Sequence, residues 1–275
     1  MSDVLTYKAV KKLVSFIVGF ILVSSCVWGA TLDDVLSKIN SVAQKSKDQV
    51  KSLRILAETQ IKNGNKLIET NVVVYQKGDK IRSEVKAKDK NSPYVDALNA
   101  VVIMNGKDVW FISPVMGTQK LPAGQLSPGA SSMQGLNDTK WINNLKKNME
   151  LVGEEPVNGV DCYVLSVSEP TRMKIYVAKD GGYWLKIDQT GPSGEKIEVM
   201  RSGFKEIVPG VKLGYRTEMK TNGEVFSTTI IKDVNVNIDV PDSLFIVKQT
   251  PVDKAAKAKT PDQKSEWDVL EKLKQ

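Results

Sequence analysis

Residues 54–87 read RILAETQIKNGNKLIETNVVVYQKGDKIRSEVKA. Two period-two stretches are hinged at Asn63-Gly64, and a second reversal follows at Lys77-Gly78-Asp79. Alternation at period two marks strands, because successive side chains of a strand point to opposite faces, and Gly-bearing breaks mark the turns between them. The stretch predicts the start of an antiparallel meander. The same pattern resumes in GVDCYVLSVS (159–168), RMKIYVAKDGGYWLKIDQT (172–190), EKIEVMRSGFKEI (195–207) and KLGYRTEMKTNGEVFSTTIIKDVNVNI (212–238). Turns are read at Asn158-Gly159, Asp180-Gly181, Ser193-Gly194, Pro209-Gly210 and Asn222-Gly223. The expected fold is α+β but mostly β: a single open, unclosed antiparallel β-barrel or strongly bent sheet.

Between these blocks lies IMNGKDVWFISP (103–114). Asn105-Gly106 is the preferred centre of a type I′ turn, so Val101 to Met104 should pair with Val109 to Ser113. Trp110 and Phe111 then alternate across a strand, and only one of them can face the concave side. Residues 114–137, PVMGTQKLPAGQLSPGASSMQGLN, lack sustained periodicity and read as a long loop, which inside a compact domain is usually functional or disordered.

Helical signals are few. Thr31 to Lys51 begins with an N-cap residue and an acidic first turn, and Leu32, Val35, Leu36, Ile39 and Val42 form one apolar stripe. A shorter helix is expected over Asp138 to Met149, with Trp141, Ile142 and Leu145 on one face. The first should lie against the sheet.

The ends have a different composition. Lys8, Lys11 and Lys12 precede an uncharged run from Leu13 to Val23, the order of a secretory signal. That run is shorter than the roughly 20 residues a bilayer-spanning helix needs. Residues 1–30 are therefore expected to be a signal peptide, with cleavage before Ala30 or, since Val23-Ser24-Ser25-Cys26 resembles a lipobox, lipidation at Cys26. The first outcome gives a free periplasmic protein and the second a lipid-anchored one. The domain proper spans 31–250, and 251–275 reads as a flexible Lys/Ala-rich tail.

Composition restricts the chemistry. The chain of 275 residues carries no histidine, which removes His-based acid–base work, His-assisted nucleophiles and the commonest metal ligand. No nucleophile elbow, phosphate loop or Cys-x-x-Cys is present. No catalytic residue, metal or cofactor is expected, and the protein is read as a non-enzyme; Asp89, Asp96, Glu154 and Glu155 are read as surface charges. Net charge is +7, or about +5 without the leader, and is dispersed, so no nucleic-acid partner is expected. After the leader only Cys162 remains, so no intramolecular disulfide is available.

The order of features resembles the outer-membrane lipoprotein carrier and sorting family of the LolA type. The residues that carry the resemblance are the KGDKIR turn, Asn105, Gly106, Lys107, Trp110, Phe111 and Pro114, and the closing segment Val240-Pro241-Asp242-Ser243-Leu244-Phe245. The resemblance covers roughly residues 31–247. It implies an apolar cavity beneath a helical lid that takes lipoprotein acyl chains or other lipids. By the same resemblance an inner-membrane export complex would be donor and an outer-membrane protein acceptor. It further implies that Trp110, Phe111, Met116, Met133, Trp141 and Ile142 line or gate the cavity. Where proteobacterial carriers place an Arg that holds the lid, this chain has Lys77, which lacks the guanidinium fork, so lid control is expected from Lys77 or Arg82. Two variants of this reading are a tethered acceptor, which needs Cys26 lipidated, and a lipid-sensing regulatory module of the same fold.

Overall fold

A computed structural model describes residues 29–91, 95–106, 108–121, 139–191 and 193–247. The leader, Cys26, Met133 and the C-terminal tail lie outside the described residues.

From Leu32 onward the chain forms one unit. Helix α1 (Leu32–Gln49) leads into a first meander: β1 (Ser52–Asn63), β2 (Lys66–Lys77), β3 (Lys80–Ala87), the one-turn α2 (Val95–Leu98), β4 (Ala100–Asn105), β5 (Asp108–Ser113) and β6 (Gly117–Leu121). After α3 (Lys140–Leu145) and a 3-10 turn (Lys146–Asn148), a second meander follows. It comprises β7 (Met149–Val157), β8 (Val160–Val167), β9 (Met173–Ala178), β10 (Trp184–Thr190), β11 (Lys196–Val208), β12 (Val211–Thr221) and β13 (Glu224–Val236). All thirteen strands join one antiparallel sheet in the order β6-β5-β4-β3-β2-β1-β13-β12-β11-β10-β9-β8-β7. The two meanders meet at the β1/β13 seam, and among the described residues nothing pairs the edges β6 and β7. The sheet is therefore open.

Directly opposed residues of neighbouring strands share a face, so register assigns sides. Leu53, Ile55 and Ala57 of β1 face the same way as Gln76, Val74 and Val72 of β2. Helix α1 covers this side, burying Val35, Leu36, Ile39 and Ala43. The opposite side of β2 to β5 carries Tyr75, Ile103 and Trp110. Here the C-terminal residues 238–247 form a strap, which packs Val240 and Phe245 onto Ile103, Tyr75 and Trp110. Asn237, at φ 56°, turns the chain from β13 over the sheet end; its side chain accepts from Lys51 N at 2.8 Å and donates to Gln49 O at 2.9 Å.

Three expectations need correction. Asn105 stays in β4 opposite Asp108, so the turn follows Asn105, with Gly106 at φ 67°, instead of being centred on Asn105-Gly106, while Val101 to Met104 do pair with Val109 to Ile112. This register sets Met104 against Val109 and Ile103 against Trp110. Centring the turn on Asn105-Gly106 would instead set Met104 against Lys107 and Ile103 against Asp108, and apolar cross-strand pairs are the more stable arrangement. Strand β6 forms inside the segment read as loop, because pairing with β5 outweighs its weak local pattern. Strand β7 begins at Met149, where the second helix was expected to end. Its Gly153, Glu154, Glu155 and Pro156 hide the strand signal, yet suit an edge strand, where Pro loses no ladder bond and charge deters further pairing.

Candidate ligand cavity

Between the helices and the concave face of the sheet lies a cavity of about 250 Å³. Ile39, Val42 and Ala43 of α1 and Ile142 of α3 form its roof. Leu53, Ile55 and Ala57 of β1, Val72 and Val74 of β2, Leu213 of β12, Ile231 of β13 and Val177 of β9 contribute to its walls. Strands β2 and β9 are six neighbours apart in the sheet, roughly 29 Å if it were flat, so residues of both can bound one small cavity only because the sheet curls.

The roof is fastened by polar contacts between the two helices. Asn40 and Asn143 exchange amide hydrogen bonds of 3.3 and 2.9 Å, and the Thr139 hydroxyl donates to Asn40 Oδ1 at 2.9 Å. Lys146 Nζ reaches Asp33 at 2.7 Å.

Polar groups in the wall are ordered. Thr59 (β1), Thr229 (β13), Thr217 (β12) and Arg201 (β11) stand opposite one another strand by strand, and Thr70 (β2) continues the row outside the lining. Thr59 and Thr229 share a hydroxyl hydrogen bond of 2.9 Å. Below this row, toward Leu53 and Val211, the lining is mainly apolar. Gln76 is the exception: its amide nitrogen donates to Gly78 O at 3.2 Å, while its buried Oε1 has no partner among the described residues.

Among the described residues two cations line the cavity and no carboxylate does. Lys212 sits at the rim, 3.8 Å from Asp180 Oδ2 and over the Tyr183 ring. Arg201 lies deeper, its guanidinium carbon 3.6 Å from the centre of the Trp184 ring. Burial pulls its pKa down to about 9, so it remains protonated at neutral pH. Gly214 makes room for it: a Cβ there would stand 3.3 Å from Arg201 Cβ and from two ring carbons of Phe204.

Of the residues expected at the site, Ile142 lines the cavity. Phe111 faces the concave side, in the row Val74, Ser83, Val102, Phe111, but is not part of the lining. Trp110 belongs to the strap cluster on the other face, with Lys120 Nζ 5.7 Å from its ring centre, which removes it from the cavity. Met116 is half-exposed in the β5–β6 turn, where the Ser113 hydroxyl accepts from Val115 and Met116 N–H, and is not part of the lining. Trp141 lies in α3 with its side chain outside the described set.

The expected lid controllers are also redirected. Lys77 Nζ donates to Val240 O at 3.1 Å and to Asp242 at 3.0 Å, and Arg82 donates to Leu244 O at 2.9 Å and to Glu84 at 2.7 Å. Both hold the strap on the convex face, because register points Arg82 away from the helices and Lys77 lies at the sheet end that the strap crosses. The residues that sequence reading missed are Arg201, Trp184, Gly214 and the threonine row. Arg201 lies in a stretch quoted as strand, but only register sets it beside Thr217. Among the carboxylates weighed earlier, Glu154 is paired with Lys179, and none of Asp89, Asp96, Glu154 and Glu155 lines the cavity. Among the described residues no cluster of metal-ligating side chains exists.

No family model matches the sequence, and no curated protein matches it. Solved structures do. A DUF1329 family protein from Desulfovibrio piger superposes with a TM-score of 0.55 at 18% identity, over 77% of this chain and 97% of the other. A LolA superfamily protein from Nitrosomonas europaea gives 0.54 at 17% identity, over 80% and 99%. A putative outer membrane lipoprotein-sorting protein domain from Vibrio parahaemolyticus gives 0.53 at 13% identity, over 76% and 97%. With its open antiparallel sheet wrapped around a helix-roofed cavity, the chain has the LolA-like fold.

Proposed function

We propose that this protein is a non-catalytic carrier of the cell envelope, which binds acyl chains of lipids or lipoproteins in the cavity between α1, α3 and the sheet. The observation that carries the reading is the cavity itself: a partly open, largely apolar space, lined among the described residues by no carboxylate and no nucleophile–base pair. Burying a chain there stabilises the complex by roughly 0.8 kcal/mol per methylene without directional contacts, so little sequence motif is needed. The signal-like order of the leader supports a location outside the cytoplasm, and the LolA-like fold supports the ligand class.

The test is uptake of a labelled lipopeptide by delipidated protein, read by native mass spectrometry. A one-to-one adduct is expected. Val74 borders the open space and is only partly buried, so Val74→Trp fills the cavity without disturbing packed neighbours. This variant should keep its circular dichroism spectrum and lose the adduct. Retained uptake by the folded variant, or none by the parent chain, overturns the reading.

A further inference from the structure

Arg201 stands apart from the other charges described above. Its guanidinium makes no ion pair or hydrogen bond among the described residues, and its contact is the face of Trp184 at 3.6 Å. Arg201 is only partly exposed, and a cation turned into a largely apolar cavity with no counter-ion beside it loses part of its hydration without recovering it from the protein. The surrounding wall also favours this placement. Gly214 leaves the space in which the arginine stem and Phe204 lie, and Thr217 stands directly opposite on β12.

The stack on Trp184 engages the face of the guanidinium and leaves its edge available. That edge carries N–H donors in a planar fork, whose geometry matches a carboxylate or a phosphate. The lining is divided to match. Arg201, Thr217, Thr229 and Thr59 occupy one level across four strands, and Ile55 and Leu53 continue the wall away from it as apolar surface. A polar belt with one unmatched cation above an apolar wall complements a molecule with an anionic head and an aliphatic tail.

We propose that the cavity selects amphiphiles bearing an anionic headgroup, carboxylate or phosphate, which the fork of Arg201 binds while the chain runs along β1 toward Leu53. This deepens the carrier reading and rests on it. Arg201 is a binding residue, Trp184 holds its plane, and Gly214 provides its room.

The experiment compares three ligands of equal chain length on delipidated full-length mature protein by titration calorimetry: hexadecanoate, a hexadecanoyl glycerol phosphate and uncharged hexadecanoyl glycerol. The parent protein should bind at least one anionic ligand about tenfold or more tightly than the uncharged one, the size expected of a charge-assisted hydrogen-bonded pair. Whichever anion binds better identifies the headgroup source. Arg201→Met should bring the ratio to about one, with a circular dichroism spectrum like the parent's showing that the variant folds. Gly214→Val, which crowds Arg201 from the neighbouring strand, should lower the same ratio. Binding of all three ligands without anion preference, or a preference that survives Arg201→Met, overturns this proposal and leaves the carrier reading standing. Failure of every ligand to bind overturns both.

Discussion

At the scale of single residues, the cavity is shaped by what its walls leave unpaired. Arg201 is charged, partly buried and has no carboxylate beside it among the described residues, and desolvation lowers its pKa to about 9. In the empty protein that arrangement opposes folding, so Arg201→Met is expected to raise the melting temperature of delipidated protein. Replacing fully buried charges by apolar groups of similar volume stabilises by about 1–4 kcal/mol; Arg201 is only partly buried, so a gain of about 1 kcal/mol is expected, which moves the transition by about 2–4 °C in a chain of this size. Differential scanning calorimetry of both proteins checks this, and a fall in melting temperature would assign Arg201 a structural role instead. Little of it was legible in the sequence. Arg201 reads as one more polar position in an alternating strand, because the partners that make it unusual come from β10 and β12 and meet it only through register. Ile142 was legible, since helical spacing placed it on an apolar face. The aromatic pair was half legible: alternation required Trp110 and Phe111 to part, but which one faces the helices depends on side assignments that run through four strands.

Among the elements, the strap illustrates how one short segment ties a sheet together. Residues 238–247 cross the convex face, and their carbonyls accept from Ser52, Lys77, Arg82 and Asn105 while Phe245 fills the cluster over Ile103. Phe245 is 1% exposed, so Phe245→Ala should cost about 3–5 kcal/mol, measurable as a shifted midpoint in urea unfolding. A loss under about 1 kcal/mol would show that the strap merely rests on the sheet. The acidic group of the strap adds a pH dependence whose sign is fixed. Lys77 and Lys80 hold the Asp242 carboxyl below its ordinary value, so its contribution is present above the unfolded aspartate pKa of about 3.9 and is lost as pH falls through the lower folded value. In Asp242→Asn this acid-side dependence should shrink. The sequence announced the strap through Val240, Pro241 and Phe245, but not its function: the KGDKIR turn looks like a lid holder until register shows Arg82 pointing away from the helices. The edge strands were obscured for a different reason. Edge positions select Pro, Gly and charge, the residues that make β7 resemble a loop.

The whole molecule is two meanders joined at a single seam. The pairing of β1 with β13 runs from Leu53 opposite Val236 to Ile61 opposite Ser227, and the strap then adds contacts from the C-terminal end to β2, β3, β4 and β5. The edges β6 and β7 share no pairing among the described residues. Each half, by contrast, lacks what the other supplies. Residues 29–121 alone would expose the β1 edge and the apolar surface over Ile103 that Val240 and Phe245 cover. Residues 139–247 alone would expose β13 and lose α1, whose Val35, Leu36 and Ile39 are buried against the sheet. Closing a seam between residues some 170 positions apart is slow in an intact chain, yet once formed it buries both exposed edges. Co-expression of 29–121 with 122–247 is therefore expected to give a stable one-to-one complex that binds the same amphiphiles as the intact chain, whereas either fragment alone should give a collapsed NMR spectrum. Co-purification through a tag on one fragment, followed by ligand titration, reads the result. A well-dispersed spectrum from a lone fragment would show that the meanders are independent domains, and failure to co-purify would place the essential linkage in residues 122–138.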